Sequence, residues 1–186
     1  MGAGTPLAGG RATAVAPPMP QTLLALAAVL TFSLFALSQH GAKAEAEEFA
    51  VTAEVELAAG QLGRDRLATV LARRFDEVAT DRGVRVDPAG LSTALGRDGE
   101  AAEAEFDDVD DFSGVVRTTA RDWMGGTLAF TDSVSVRYVD KTFLTPSAAP
   151  TLAKEVTVVV RAVPQGFVGT PPIVAELTQI VTPLSN

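Results

Sequence analysis

The chain has 186 residues, 47% of them hydrophobic and 20% charged, with a formal net charge of −8. That length holds one domain of ordinary size, or a smaller one with a non-globular segment, and the apolar content excludes a wholly disordered chain. With no cysteine there is no disulfide, thiolate metal site or cysteine nucleophile; any histidine site must use the single His40; and the acidic balance argues against a nucleic-acid partner, whose phosphates need a basic face.

Residues 1–20 read as a flexible leader, rich in Gly, Pro and Ala, with Arg11 its only charged side chain. From Gln21 to Gln39 there is neither charge nor proline. As a helix this run rises about 28 Å, close to the roughly 30 Å hydrocarbon core of a bilayer. Pro20 suits a first helical position, where a missing N–H costs little. Three readings compete for the segment: an uncleaved membrane anchor, a secretory signal peptide, or a buried helix. No polar stripe breaks the run, which disfavours the buried helix. Ala42-Lys43-Ala44 has the small-x-small form of a signal-peptide cleavage site. The long, nearly uncharged leader favours a transmembrane helix over 21–40, with His40 an interfacial residue at its end. Charge barely orients it, since Arg11 and the α-amine stand against Lys43 alone.

No proline follows until Pro88, and residues 41–83 read as an amphipathic helix. Ala46, Phe49, Ala50, Ala53, Leu57, Ala59 and Gly60 fall at helical spacing, and Leu67, Val70, Leu71, Phe75 and Val78 continue the period. Gly60 and Gly63 weaken the centre by about 1 kcal/mol each relative to Ala. Gly83 is the expected stop, so one nearly continuous helix is predicted from Gln21 to about Arg82. Arg64, Arg66, Arg73 and Arg74 read as a solvated basic face of that helix, or as a patch that pairs with acidic faces of neighbours.

Residues 84–126 read as an irregular linker, punctuated by Asp87-Pro88 and several glycines. Inside it lies the acidic stretch Phe106 to Gly114, with Asp107, Asp108, Asp110 and Asp111 placing four carboxylates within five residues. Such carboxylates repel unless a cation or basic groups offset them. Ca²⁺, which takes oxygen ligands, is one candidate at these four residues, although the spacing is not that of an EF-hand loop. A structural turn with Arg117 and Arg121 as local partners is the other reading. No other cofactor is expected. From 127 to 186 the chain reads as an antiparallel β-sheet region, with strands over 127–140, 154–163 and 173–181. A helix followed by strands, without βαβ alternation, gives an α+β fold in which the amphipathic helix covers the sheet. Trp123 reads as a packing residue, and Gly125-Gly126 lacks the lysine and helix start of a phosphate loop.

An apolar N-terminal helix that continues as an amphipathic helix and packs on a C-terminal antiparallel sheet resembles the type IV pilins and pseudopilins. FDDVDDFSG (106–114), followed by strands of the SVSVRYVD and KEVTVVV kind, is similar to the acidic stretch of minor pilins of the mannose-sensitive-haemagglutinin type. The chain departs from the pilin pattern in having no carboxylate between Met1 and Ala44. The resemblance implies a non-enzymatic, single-pass subunit of a type IV pilus-like filament or type II secretion pseudopilus. Its C-terminal domain would lie outside the cytoplasm. Its partners would be copies of itself or other pilin-like subunits, with the inner membrane holding it before assembly. The anchor and filament core would then be Leu23, Leu24, Leu26, Val29, Leu30, Phe32, Leu34, Phe35 and Leu37. A secreted or periplasmic β-rich binding module, cut after Ala44 and binding a cation or ligand at its acidic loop, is the alternative. No nucleophile–base pair can be assembled for an enzyme.

Overall fold

The computed structural model describes residues 20–77, 87–123, 125–162 and 172–183. Two compact units divide the chain, Met1–Glu48 and Phe49–Asn186. Helix α1 runs from Pro20 to Leu71 and contributes to both. In the first unit the described residues are this helix alone. Its apolar run carries two hydroxyls that bond back to the helix itself, Thr31 Oγ1 to Ala27 O at 2.9 Å and Ser33 Oγ to Val29 O at 2.8 Å. Neither hydroxyl therefore needs water as a partner.

In the second unit, four strands form one antiparallel meander: β1 (Val116–Trp123), β2 (Gly126–Tyr138), β3 (Lys154–Ala162) and β4 (Ile173–Val181), in the order β1-β2-β3-β4. The period-two pattern of each strand sends one set of side chains inward. Leu128, Phe130, Val134 and Val136 of β2 and Val156, Val158, Val160 and Ala162 of β3 form the buried face. Against it α1 lays Val55, Ala59, Leu62 and Val70, so the α+β arrangement expected from the order of elements is the one observed.

Three particulars differ from the sequence reading. Helix α1 ends at Leu71 rather than near Arg82. Beyond it Arg74 pairs with the acidic loop instead, Arg74 N donating to Asp107 O at 3.2 Å and Val109 N to Arg74 O at 2.9 Å. Just after that pairing Phe75 and Asp76 are both buried. Val78 and the expected stop at Gly83 lie outside the described residues. Second, the apolar stripe through Phe49 and Leu57 is not the packed face, for these residues are 76% and 68% exposed. The helix is rotated so that Gly63 meets the sheet: a Cβ there would lie 2.4 Å from Leu177 Cδ1. Third, 116–123 is a strand and not part of an irregular linker. It is an edge strand with Arg117, Thr118, Thr119 and Arg121 in sequence, so neither face is apolar and the alternation that marks the other strands is missing.

Candidate functional site

Two regions carry chemistry. One is the apolar part of α1. Every residue expected to form the anchor is exposed, from 56% at Leu30 to 72% at Phe32. Together they form a continuous apolar surface without a charged side chain from Gln21 to Gln39. By length and composition the helix can cross a membrane. His40, read as interfacial, lies in α1 just beyond that run and is exposed.

The other region surrounds the acidic loop, which ends in a short 3₁₀ turn, Asp110–Phe112. Asp108 closes the loop upon itself: its Oδ1 accepts from Asp110 N at 2.7 Å and Asp111 N at 3.3 Å, and its Oδ2 accepts from Glu77 N at 3.0 Å. Burial raises the Asp108 carboxyl to about 6, against the pull of those N–H groups. Asp111 Oδ2 accepts from Asp107 N at 3.0 Å and Asp108 N at 3.3 Å. Asp110 points inward and binds the ammonium of Lys154, and Asp107 pairs with Arg74. Burial, outweighing that ammonium, pushes Asp110 up to about 7.

Lys154 is the centre of a buried ionic network. Its Nζ donates to Phe75 O at 2.7 Å, to Asp76 Oδ2 at 3.0 Å and to Asp110 Oδ1. The rings of Phe75 and Tyr138 flank it at 4.5 and 5.1 Å. Tyr138 donates its hydroxyl to Ser92 O at 2.7 Å and to Asp76 Oδ2 at 3.3 Å, and its burial raises the phenol far above the usual range. A second network holds Arg66, which is 1% exposed, between Glu103 and Asp132; its Nε lies 3.1 Å from Asp132 Oδ1. Arg117 reaches the other oxygen of Asp132 at 3.1 Å.

The expected partners of the acidic stretch are thus corrected. Arg117 serves Asp132, and Arg74 and Lys154 hold Asp107 and Asp110. Arg66 leaves the solvated basic face to which it was assigned, while Arg64 and Arg74 stay exposed. The four aspartates expected as one cation set divide. Asp108 and Asp110 are turned to the backbone of the loop and to Lys154, whereas Asp107 and Asp111, beside their contacts with Arg74 and with backbone N–H groups, also belong to a second gathering of carboxylates. Oxygens of Glu77, Glu100 and Asp107 lie within 4.8 Å of one another, as do those of Asp98, Glu100 and Asp111. A hydrogen bond with Asp98, and its negative charge, hold Glu77 at about 7. Trp123 is half-buried and packs against the main core.

No family model, curated protein or solved structure matches the chain.

Proposed function

We propose that this protein is a non-enzymatic, membrane-anchored structural subunit of a pilin-like or pseudopilin-like filament. The observation that carries the reading is the helical surface from Leu23 to Leu37, wholly apolar, exposed, and with its hydroxyls satisfied internally. Water tolerates no apolar patch of that extent without a partner. Two surroundings hide it: a bilayer before assembly, and a bundle of like helices afterwards. Burying nine such side chains from water gains on the order of tens of kcal/mol at about 25 cal/mol per Å², before the cost of ordering. The second unit then supplies the outward face and the contacts between neighbours, with the N-terminal leader of the chain on the cytoplasmic side. A helix preceding an antiparallel sheet supports the pilin-like assignment at the level of architecture.

The experiment is the intact mass and N-terminal residue of the protein from native cells, measured separately in membrane, sheared-filament and soluble fractions. A start at or just before the apolar run, or an uncut chain, in membrane or filament is expected. A start at Glu45 in the soluble fraction overturns the reading in favour of a secreted binding module. Cutting there spares the whole core of the second unit, whose first fully buried residue is Val55. Under either reading the Ca²⁺ site narrows to Asp107 and Asp111 with Glu77, Asp98 and Glu100. Titration calorimetry with Ca²⁺ tests it, since binding heat must vanish in Glu100→Gln.

A further inference from the structure

We propose that the loop tip Phe143–Leu144 of one copy docks on the exposed helical stripe Phe49, Ala53 and Leu57 of another, a head-to-tail contact between second units. For the choice of partner this rests on the filament reading, which it deepens by naming a surface. Phe49, Ala53 and Leu57 are all exposed. Their four-residue spacing sets them side by side on α1, on the side turned from the sheet that Val55, Ala59 and Leu62 cover. At 3.6 residues per turn, Glu54 flanks the stripe on one side and Glu56 on the other, and both are exposed. On the loop, Phe143 is 79% exposed and Leu144 50%. From Lys141 to Pro150 the only charged side chain is that of Lys141. An apolar pair beside a cation thus matches an apolar stripe between two anions.

The tip is held ready by its own backbone. Asp140 Oδ1 accepts from Thr142 N and Phe143 N, both at 2.8 Å. Leu144 N donates to Asp140 O at 2.8 Å, and Asp140 N donates to Thr145 O at 2.8 Å. These bonds keep Leu144 at a φ of 55°, in the left-handed region that a side chain ordinarily avoids. Such a conformation survives only where its surroundings fix it, and here it presents two apolar side chains to water. Tip and stripe do not meet within one copy. The loop follows β2, whose last residue, Tyr138, packs with Phe75 just past the end of α1. Leu57 lies about 21 Å back along that helix from Leu71. Nor does either patch suit itself: tip on tip brings Lys141 against Lys141, and stripe on stripe sets glutamates together. Unlike ends remain as the pairing, a contact that repeats from copy to copy. A few side chains bind weakly alone, but chains gathered by their anchors meet at high effective concentration.

The test uses the absence of cysteine from the chain, so that every disulfide reports an introduced pair. Full-length protein carrying both Phe143→Cys and Ala53→Cys replaces the wild type in native cells, is oxidised there, and is run on a non-reducing denaturing gel. A ladder of dimers, trimers and larger species is expected from this double variant, and the monomer from either single variant. Adding Lys141→Glu should cut the crosslinked fraction about twofold to fivefold, the reach of an exposed ion pair. Glu54→Lys with Glu56→Lys should then restore it. Absence of the ladder, or single-variant dimers as abundant as the ladder, overturns the proposal. Leu30→Cys, in the apolar run, separates this from the filament reading. Its dimers without the ladder keep the bundle and discard the contact, and the ladder without its dimers does the reverse.

Discussion

Lys154 and Asp132 sit where valines would be expected. Lys154 is in phase with Val156, Val158 and Val160 along β3, and Asp132 lies between Phe130 and Val134 along β2. Both therefore face inward and oblige the fold to bring them opposite charges. Arg66 answers Asp132 from the helix. Removing it in Arg66→Ala leaves the buried Asp132 carboxylate to the half-exposed Arg117 alone, and a loss of about 3 kcal/mol in denaturant unfolding is the expected outcome. Asp108 gives a pH-dependent test. Its folded value, about 6, lies above its ordinary value of 3.8, so its contribution is fully present below the ordinary value and is lost as pH rises through 6. Asp108→Asn removes that slope, and the stability of the wild type relative to the variant should fall between pH 4 and pH 7, which unfolding at the two pH values measures. Glu103 works in the opposite sense: hydrogen bonding to Arg66 lowers it, so its contribution is lost as pH falls. Comparison with the variant cancels that background. Strand alternation alone places Lys154 on the inward face. What alternation could not supply was the partner, because Asp76, Asp110 and Lys154 are far apart in the chain.

At the scale of elements, the part of the helix in the second unit carries two glycines, Gly60 and Gly63, that sequence treats alike and structure does not. Around Gly60 nothing lies within 4 Å of an added Cβ, so Gly60→Ala should stabilise by about 0.5–1 kcal/mol through helix propensity. At Gly63 the same atom runs into Leu177, and Gly63→Val should cost about 1–3 kcal/mol as the helix is pushed off β4. Thermal unfolding of the two variants separates the cases, and a stabilised Gly63→Val would dismiss the close approach. Propensity sees only the backbone of the residue itself, so a glycine kept for a neighbour 114 positions along cannot be distinguished from one that merely loosens a turn. The same limit hid β1. Strands β2, β3 and β4 were legible because one face of each is apolar, whereas β1 takes its pairing from β2 and has little apolar signal of its own. The helix end was misplaced for a related reason. Phe75 keeps the helical period, yet tertiary contacts with Leu91 and Tyr138 claim it for a different backbone.

The whole molecule divides its work between two units, and the apolar one admits the sharpest test. Leu30 lies near the middle of the uncharged run. Leu30→Arg should weaken membrane insertion by about 2.5–3.5 kcal/mol. The variant is expected in the supernatant of an alkaline carbonate extraction that leaves the wild type in the pellet. Its second unit should unfold at the wild-type denaturant midpoint, since none of that unit's buried core is altered. The α+β class and the apolar segment could be read from the chain because both rest on periodicity over many residues. The ionic centre could not, because it rests on contacts that only the closed fold makes.

Gly63 against Leu177 has one last consequence, which concerns time. The meander β1-β2-β3-β4 lets each strand pair with the one made just before it. The helix has no such neighbour: it is made first, and the strand that seats Gly63 is made last. At about 5–20 residues per second on the ribosome, the helix waits several seconds or more with its inner stripe uncovered. The inner stripe of the helix therefore stays uncovered until the last strand is made, and β4 acts as the latch of the fold.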